Sequence, residues 1–517
     1  MNKKEFASGA FSLTVSALFV KLIGVLFKVP LSYILSDVGM GYFNTAYSIY
    51  GVFYVLASAG VPKAITCIIT ENESVGNGSG YKIYKHALRL FTGLGLIISA
   101  IYMLFAPVFV KVLANEKSLF TVLAIGPSIL FVATGGVARG YLSARRRLFP
   151  IAVSQVIEAC LKLVIGIAFA RLGAKLNLDV KYISAMAILG ISIGSAISTL
   201  YLIICAKTRH KCDNSGQRLQ LDKRKINVEI FRIALPITLG SSVLTFASVI
   251  DVGLITRGLR SSGISEGTAN EMYGNYSTLA VPMINLLLSL VTPLTVALLP
   301  RLIDAKLKSD EREFEAVLNK TALYTSVFVC PCAAIFYFYS FDVLDILFSS
   351  TQAANGYELL AVLSFGVSFL ALLNVVNTAH EALGNFKITI SSILVAVITK
   401  ILLSILFLTT TSLKLIAIPL CTSLSNFLAF IFSYLALRRC GIRMSLFKTL
   451  LLPLLLSAVC IGVPYYCVFK SGILGGGFLY LCLAICLSLT VYMLFVLPIL
   501  RSTHNEKCKF RQKNQVA

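Results

Sequence analysis

The feature that most constrains this chain is a succession of apolar runs, most of twenty or more residues, separated by short polar stretches. A helix needs about 20 apolar residues to cross about 30 Å of hydrocarbon, and inside the bilayer every backbone N–H and C=O must be bonded within the protein. The runs predict helices at 9–35, 42–69, 85–113, 118–143, 150–172, 182–206, 229–256, 273–300, 317–341, 358–382, 387–409, 414–437, 447–469 and 476–500. The expected fold class is therefore an all-α polytopic membrane protein of about 14 transmembrane helices. Composition agrees. Of 517 residues 57% are hydrophobic and only 13% charged, where a soluble chain would carry about 25% charge. The N-terminus has a basic start and an apolar stretch interrupted by Lys21, without a clear small-residue cleavage site. It reads as a retained first helix.

A net charge of +23 could indicate nucleic acid, but the basic residues sit between the apolar runs. That placement suits loops held against anionic membrane lipids, so no nucleic-acid partner is expected. With the N-terminus in the cytoplasm, about 32 of the 46 Lys and Arg fall in cytoplasmic segments and about 9 in external loops, the bias that sets orientation. The densest segments are Arg145-Arg146-Arg147, the loop from Lys207 to Lys225 and the tail after Arg501. Both termini are thus expected in the cytoplasm, the chain lying in the cell's cytoplasmic membrane.

The longest loop, 207–228, is polar, mixed in charge and without a core of its own, and reads as a linker. An internal repeat supports a division there. Pro62 and Pro300 are 238 residues apart, each followed by a basic residue at a helix end, and Lys162 and Lys400, each midway along a run, are also 238 apart. Both pairs run in the same direction, the pattern of a parallel repeat. The expected parts are a six-helix lobe at 1–206, the linker 207–228, a second six-helix lobe at 229–437, an added hairpin at 438–500 and a basic tail at 501–517.

Ionisable groups within membrane helices are costly unless paired or wetted, so each is a candidate site residue. Lys21 and Lys28 are two turns apart on one face, with Gly24 between them leaving room. Lys21 lies about 18 Å along its helix, too deep to snorkel easily. Lys162 follows Glu158 by one turn, the favourable order for an ion pair. That pair is either self-neutralised or a cavity pair whose lysine meets an anion on release. Lys400 has no acidic neighbour in its helix, which makes it the stronger cavity candidate. Asp251, in the helix answering the first, is expected either to face Lys21 and Lys28 or to form a structural salt bridge. Arg257 at the outer end of that helix and Lys63 at the end of the second complete the candidates. Proline is concentrated near helices 1, 2, 7 and 8, which suggests hinges.

Nothing points to catalysis. The chain lacks a Walker-type GxxxxGK[ST], an HExxH and any CxxC among its 13 cysteines, and has four histidines. No catalytic residue, metal site or cofactor is expected, and the chain reads as a transporter rather than an enzyme.

Several segments are familiar. Phe27-Lys28-Val29-Pro30-Leu31-Ser32, Gly39-Met40-Gly41-Tyr42-Phe43 and Ala46-Tyr47-Ser48-Ile49-Tyr50-Gly51 resemble the start of the stage V sporulation protein B group. So do Ala57 to Ile65 (ASAGVPKAI), Arg139-Gly140-Tyr141 and Ala234 to Gly240 (ALPITLG). That group is the polysaccharide transporter branch of the MOP flippase superfamily, with the MurJ lipid II flippases and the MATE exporters. The resemblance implies a V-shaped pair of lobes that works as a monomer by alternating access. It implies outward transfer of a lipid-linked sugar pyrophosphate held by basic cavity residues, with Lys21 and Lys28 similarly placed. The alternative within the same superfamily is a MATE-like, cation-coupled exporter of small organic molecules.

Overall fold

The computed structural model describes residues 3–74, 80–208, 223–261, 263–410, 414–469 and 478–515. Among them every regular element is helical. The major helices in chain order are α1 (Lys3–Ser58), α2 (Val61–Ser74), α3 (Gly80–Val112), α4 (Leu119–Ile125), α5 (Ser128–Ala144), α6 (Phe149–Lys175), α7 (Val180–Thr208), α8 (Lys223–Ser261) and α9 (Glu266–Asn275). There follow α10 (Val281–Leu307), α11 (Glu311–Phe338), α12 (Ser340–Leu347), α13 (Ser350–Ala382), α14 (Phe386–Thr410), α15 (Ala417–Arg439), α16 (Leu452–Pro464) and α17 (Phe478–Gln515). Among the described residues eleven segments are long and apolar enough to cross a membrane, the first being Phe19–Asn72. At 54 residues that segment is about 80 Å of helix, enough for two crossings.

It crosses twice because α1 folds back on itself. Ser36 interrupts the helix with φ 58° and ψ 175°. In a straight helix residues 27 and 43 would be about 24 Å apart, yet the Phe27 and Phe43 ring centroids are 5.8 Å apart. The limbs 3–35 and 37–58 are therefore antiparallel neighbours, as the separate runs 9–35 and 42–69 require.

Elsewhere the expected runs hold, with breaks that backbone chemistry explains. Pro62 does not end the second helix as expected. It opens α2 after a break at Ala59-Gly60, because proline is tolerated in a helix's first turn, where its missing N–H needs no partner. The fourth run is divided in the same way, with Pro127 between α4 and α5. The eighth run is α9, a π-helical turn at Tyr276–Ala280, and α10. Residues 209–222 of the expected linker lie outside the described residues, and the backbone of α17 continues through the expected tail to Gln515.

By packing, the chain forms two compact units, Met1–Thr278 and Leu279–Ala517. The first holds α8 and α9 as well as the six helices expected of the first lobe. Helix α8 reaches the core of α2, α3 and α5 through Ile226, Ile230 and Ala234, which pack with Val61, Ile65, Tyr84 and Tyr141. The approach is close: a Cβ on Gly60 would overlap the Ala234 carbonyl oxygen, and the Gly60 N–H donates to Thr238 Oγ1 at 3.2 Å. Small residues serve the same purpose between α6 and α7, where a Cβ on Gly190 would lie 2.6 Å from the Gly166 nitrogen. Membrane helices associate through such close contacts rather than by water exclusion. The second unit centres on α13, whose buried face packs with α10, α11 and α15 through Leu302, Leu318, Leu372, Val376 and Phe430. Large apolar side chains such as Leu96, Leu104 and Val164 point outward, as lipid contact allows.

Candidate functional site

The site grows from the fold-back of α1. Lys28 on the first limb and Asn44 on the second are brought together, and the Lys28 Nζ donates to Asn44 Oδ1 at 3.2 Å. It donates also to the backbone carbonyl of Ser277 at 2.8 Å. Asn44 is held in turn by its Nδ2, which donates to Thr278 Oγ1 at 2.8 Å. The ammonium thus rests on two neutral oxygens, and one of its three donors is left over.

Lys162 arrives from α6. Its Nζ lies 4.8 Å from the centroid of the Tyr47 ring and 5.2 Å from that of Phe27, within the range of cation–π attraction. It is close enough to Lys28 for the two ammonium groups to repel. Among the described residues no carboxylate comes within ion-pair distance of either lysine. Two basic side chains in electrostatic reach of each other at membrane depth, over aromatic faces and neutral oxygens, are the candidate anion site.

The local pairing of Lys162 with Glu158 gives way to a contact across helices. Glu158 Oε2 accepts from Arg139 Nη2 of α5 at 3.2 Å, and Oε1 accepts from Ser195 Oγ of α7 at 3.0 Å. The carboxylate is engaged by a guanidinium and a hydroxyl, and Lys162 is left to the rings. Nor does Asp251 answer Lys28. It lies on α8 near Tyr273, whose hydroxyl is 3.2 Å from Ser48 Oγ, while neutral oxygens hold the lysine. Lys21 is exposed on the same face of α1 as Lys28, and a Cβ on the intervening Gly24 would meet nothing within 4 Å. That face is open at Gly24. Lys63 and Arg257 are exposed on α2 and α8. Lys400 belongs to the second unit, half-buried on α14 in electrostatic reach of Cys421.

Arg139, Asn44 and Tyr47 enter the site although the sequence reading gave them no role. The signal for Arg139 was a lone arginine inside an apolar run. A Gly-x-Ser-x-Gly string at Gly190–Gly194, the spacing of a hydrolase nucleophile turn, lies wholly within α7. Ser192 there donates to the Ala124 carbonyl at 2.9 Å, so it is a helix-packing serine rather than the exposed elbow that chemistry needs.

The fold is that of a multi-pass helical membrane protein. The chain belongs to the polysaccharide biosynthesis protein family, whose model matches residues 6–306. It is 23% identical over 397 residues to stage V sporulation protein B of Bacillus subtilis (strain 168), covering 74% of this chain and 76% of that protein. It is 20% identical over 420 residues to the lipid II flippase MurJ of the same organism, covering 77% and 76%. Among solved structures, the inward closed conformation of lipid II flippase MurJ superposes with a TM-score of 0.72 at 16% identity, over 95% of this chain and 99% of that one.

Proposed function

We propose that this protein is a flippase that moves a lipid-linked oligosaccharide or peptidoglycan precursor, a polyprenyl pyrophosphate sugar, from the inner to the outer leaflet by alternating access. Spore cortex or cell-wall synthesis is the setting its relatives suggest. The observation that carries the reading is that Lys28 and Lys162 lie in electrostatic reach of each other, with no carboxylate within ion-pair distance among the described residues, beside an open face of α1. A pyrophosphate supplies the missing counter-charge, and lysines bind phosphate as point charges. Lys28 donates to Asn44 and Ser277. Phosphate oxygens are stronger acceptors and draw it away. The lipid tail stays in the bilayer while the sugar head needs a wet, polar path. With the cell interior negative, outward movement of each net negative charge gains about 2.3 kcal/mol per 100 mV.

The MATE-like alternative would need a site that welcomes organic cations. Two lysines with no carboxylate in ion-pair distance among the described residues repel them, so the anionic lipid is the better fit. The test is reconstitution of the protein in proteoliposomes with fluorescent lipid II and a membrane-impermeant quencher. Protein-dependent transfer between leaflets supports the reading. A protein that leaves lipid II in place while exporting a small organic cation would overturn it.

A further inference from the structure

Beyond the paired lysines, the second limb of α1 carries an aromatic stripe that begins at Tyr47, under Lys162, and runs past the charge site. Tyr47, Gly51 and Tyr54 recur at the four- and three-residue spacing that places side chains on one face of a helix. Tyr47 is 43% exposed and has the Lys162 ammonium over its ring. A Cβ on Gly51 would meet nothing within 4 Å, which leaves a gap between the two rings. Tyr50 lies behind them, buried, with its ring centroid 6.1 Å from Tyr47 and 5.7 Å from Tyr54. It fixes both outer rings. Arg139, bound to Glu158, brings its guanidinium beside Tyr54.

We infer that Tyr47, Gly51 and Tyr54 form a sugar platform that reads the length of the head group carried by the lipid pyrophosphate. A pyranose ring has an apolar C–H face that stacks on an aromatic ring, and a rim of hydroxyls that needs donors and acceptors. Tyr47 sits beside Lys162 and takes the sugar nearest the phosphates. Tyr54 is two turns, about 10 Å, farther along and takes the next one. Gly51 leaves room for the linkage between them, and Arg139 with Glu158 offers a donor and an acceptor to the outer sugar's hydroxyls. A flat aromatic surface tolerates different sugars, so the platform counts rings rather than naming them.

This inference rests on the flippase reading, and the experiment separates the two. Binding to the detergent-solubilised full chain is measured for undecaprenyl pyrophosphate without sugar, and for the same lipid with one and with two N-acetylated sugars. The protein is expected to bind the bare lipid and to bind more tightly with each sugar. Tyr54→Leu, which keeps bulk but removes the ring face, is expected to lose the gain from the second sugar, about tenfold, with the bare lipid unchanged. Tyr54→Phe keeps the ring and is expected to retain that gain, which also shows that the position tolerates change. Lys28→Ala weakens all three lipids alike. If Tyr54→Leu leaves the second-sugar gain intact, or weakens the three lipids equally, the platform is wrong and the charge site stands. If the bare lipid does not bind, or binds Lys28→Ala as well as the unaltered chain, the flippase reading itself falls.

Discussion

At the scale of single residues, the site is set by which charges find partners. Glu158 is shared by Arg139 and Ser195 from neighbouring helices, and Lys162 is displaced onto Tyr47 and Phe27. Glu158→Gln removes the counter-charge of a largely but not fully buried guanidinium. It is expected to cost on the order of 2 kcal/mol in stability, less than a fully buried pair would, read as a lower thermal midpoint in detergent. Lys21 is exposed and Lys28 is held. Lys21→Ala is therefore expected to slow lipid transfer less than Lys28→Ala, and equal effects in the proteoliposome assay would mean that both contact the phosphates. The lysines were legible in the sequence because a charge inside an apolar run stands out. Their partners were not. The four-residue spacing of Glu158 and Lys162 is visible along the chain, whereas the Arg139 that takes Glu158 comes from another helix and is adjacent only after folding. Asp251, expected either to face Lys21 and Lys28 or to form a structural salt bridge, lies near Tyr273, while a neutral amide and a carbonyl accept from Lys28.

At the scale of elements, hydrophobic run length located the helices because the bilayer sets how long each must be. It could not locate the breaks inside them. A run such as 42–69 stays apolar through Ala59 and Gly60, and the interruption there depends on Pro62 and on the approach of α8. The close contact at Gly60 has a consequence: Gly60→Val would drive two methyl groups into the Ala234 backbone. It is expected to destabilise the protein by about 1–3 kcal/mol, measured as a lower thermal midpoint and reduced monodisperse yield, while Gly93→Ala, where a Cβ meets nothing within 4 Å, leaves both unchanged. Loss of stability of equal size in the two variants would show that Gly60 is not a packing contact. The fold-back at Ser36 was legible as a gap between runs, since a polar Ser36-Asp37 step precedes Gly39 and Gly41. The packing of α8 and α9 with the first six helices was not, because lipid-spanning length says nothing about which neighbour a helix chooses.

At the scale of the whole molecule, we propose on the distribution of Lys and Arg that both termini are cytoplasmic. Positions 215 and 262, both outside the described residues, distinguish the two orientations. In a cysteine-free chain, an impermeant maleimide added to intact cells is expected to label a cysteine at 262 and to spare one at 215, and the opposite pattern would invert the topology. The division into two repeated lobes, 1–206 and 229–437, likewise remains a proposal from the 238-residue offset. The central claim is that Lys28 and Lys162 together hold the pyrophosphate of a lipid-linked sugar during transfer. The most direct measurement is the initial rate of fluorescent lipid II transfer in proteoliposomes for the unaltered protein, for Lys28→Ala and Lys162→Ala singly, and for the pair, each at matched protein incorporation. The account predicts transfer by the unaltered protein, severe loss in each single variant, little further loss in the pair, and partial recovery with arginine, which keeps charge but changes reach. Normal transfer by the double alanine variant would contradict it.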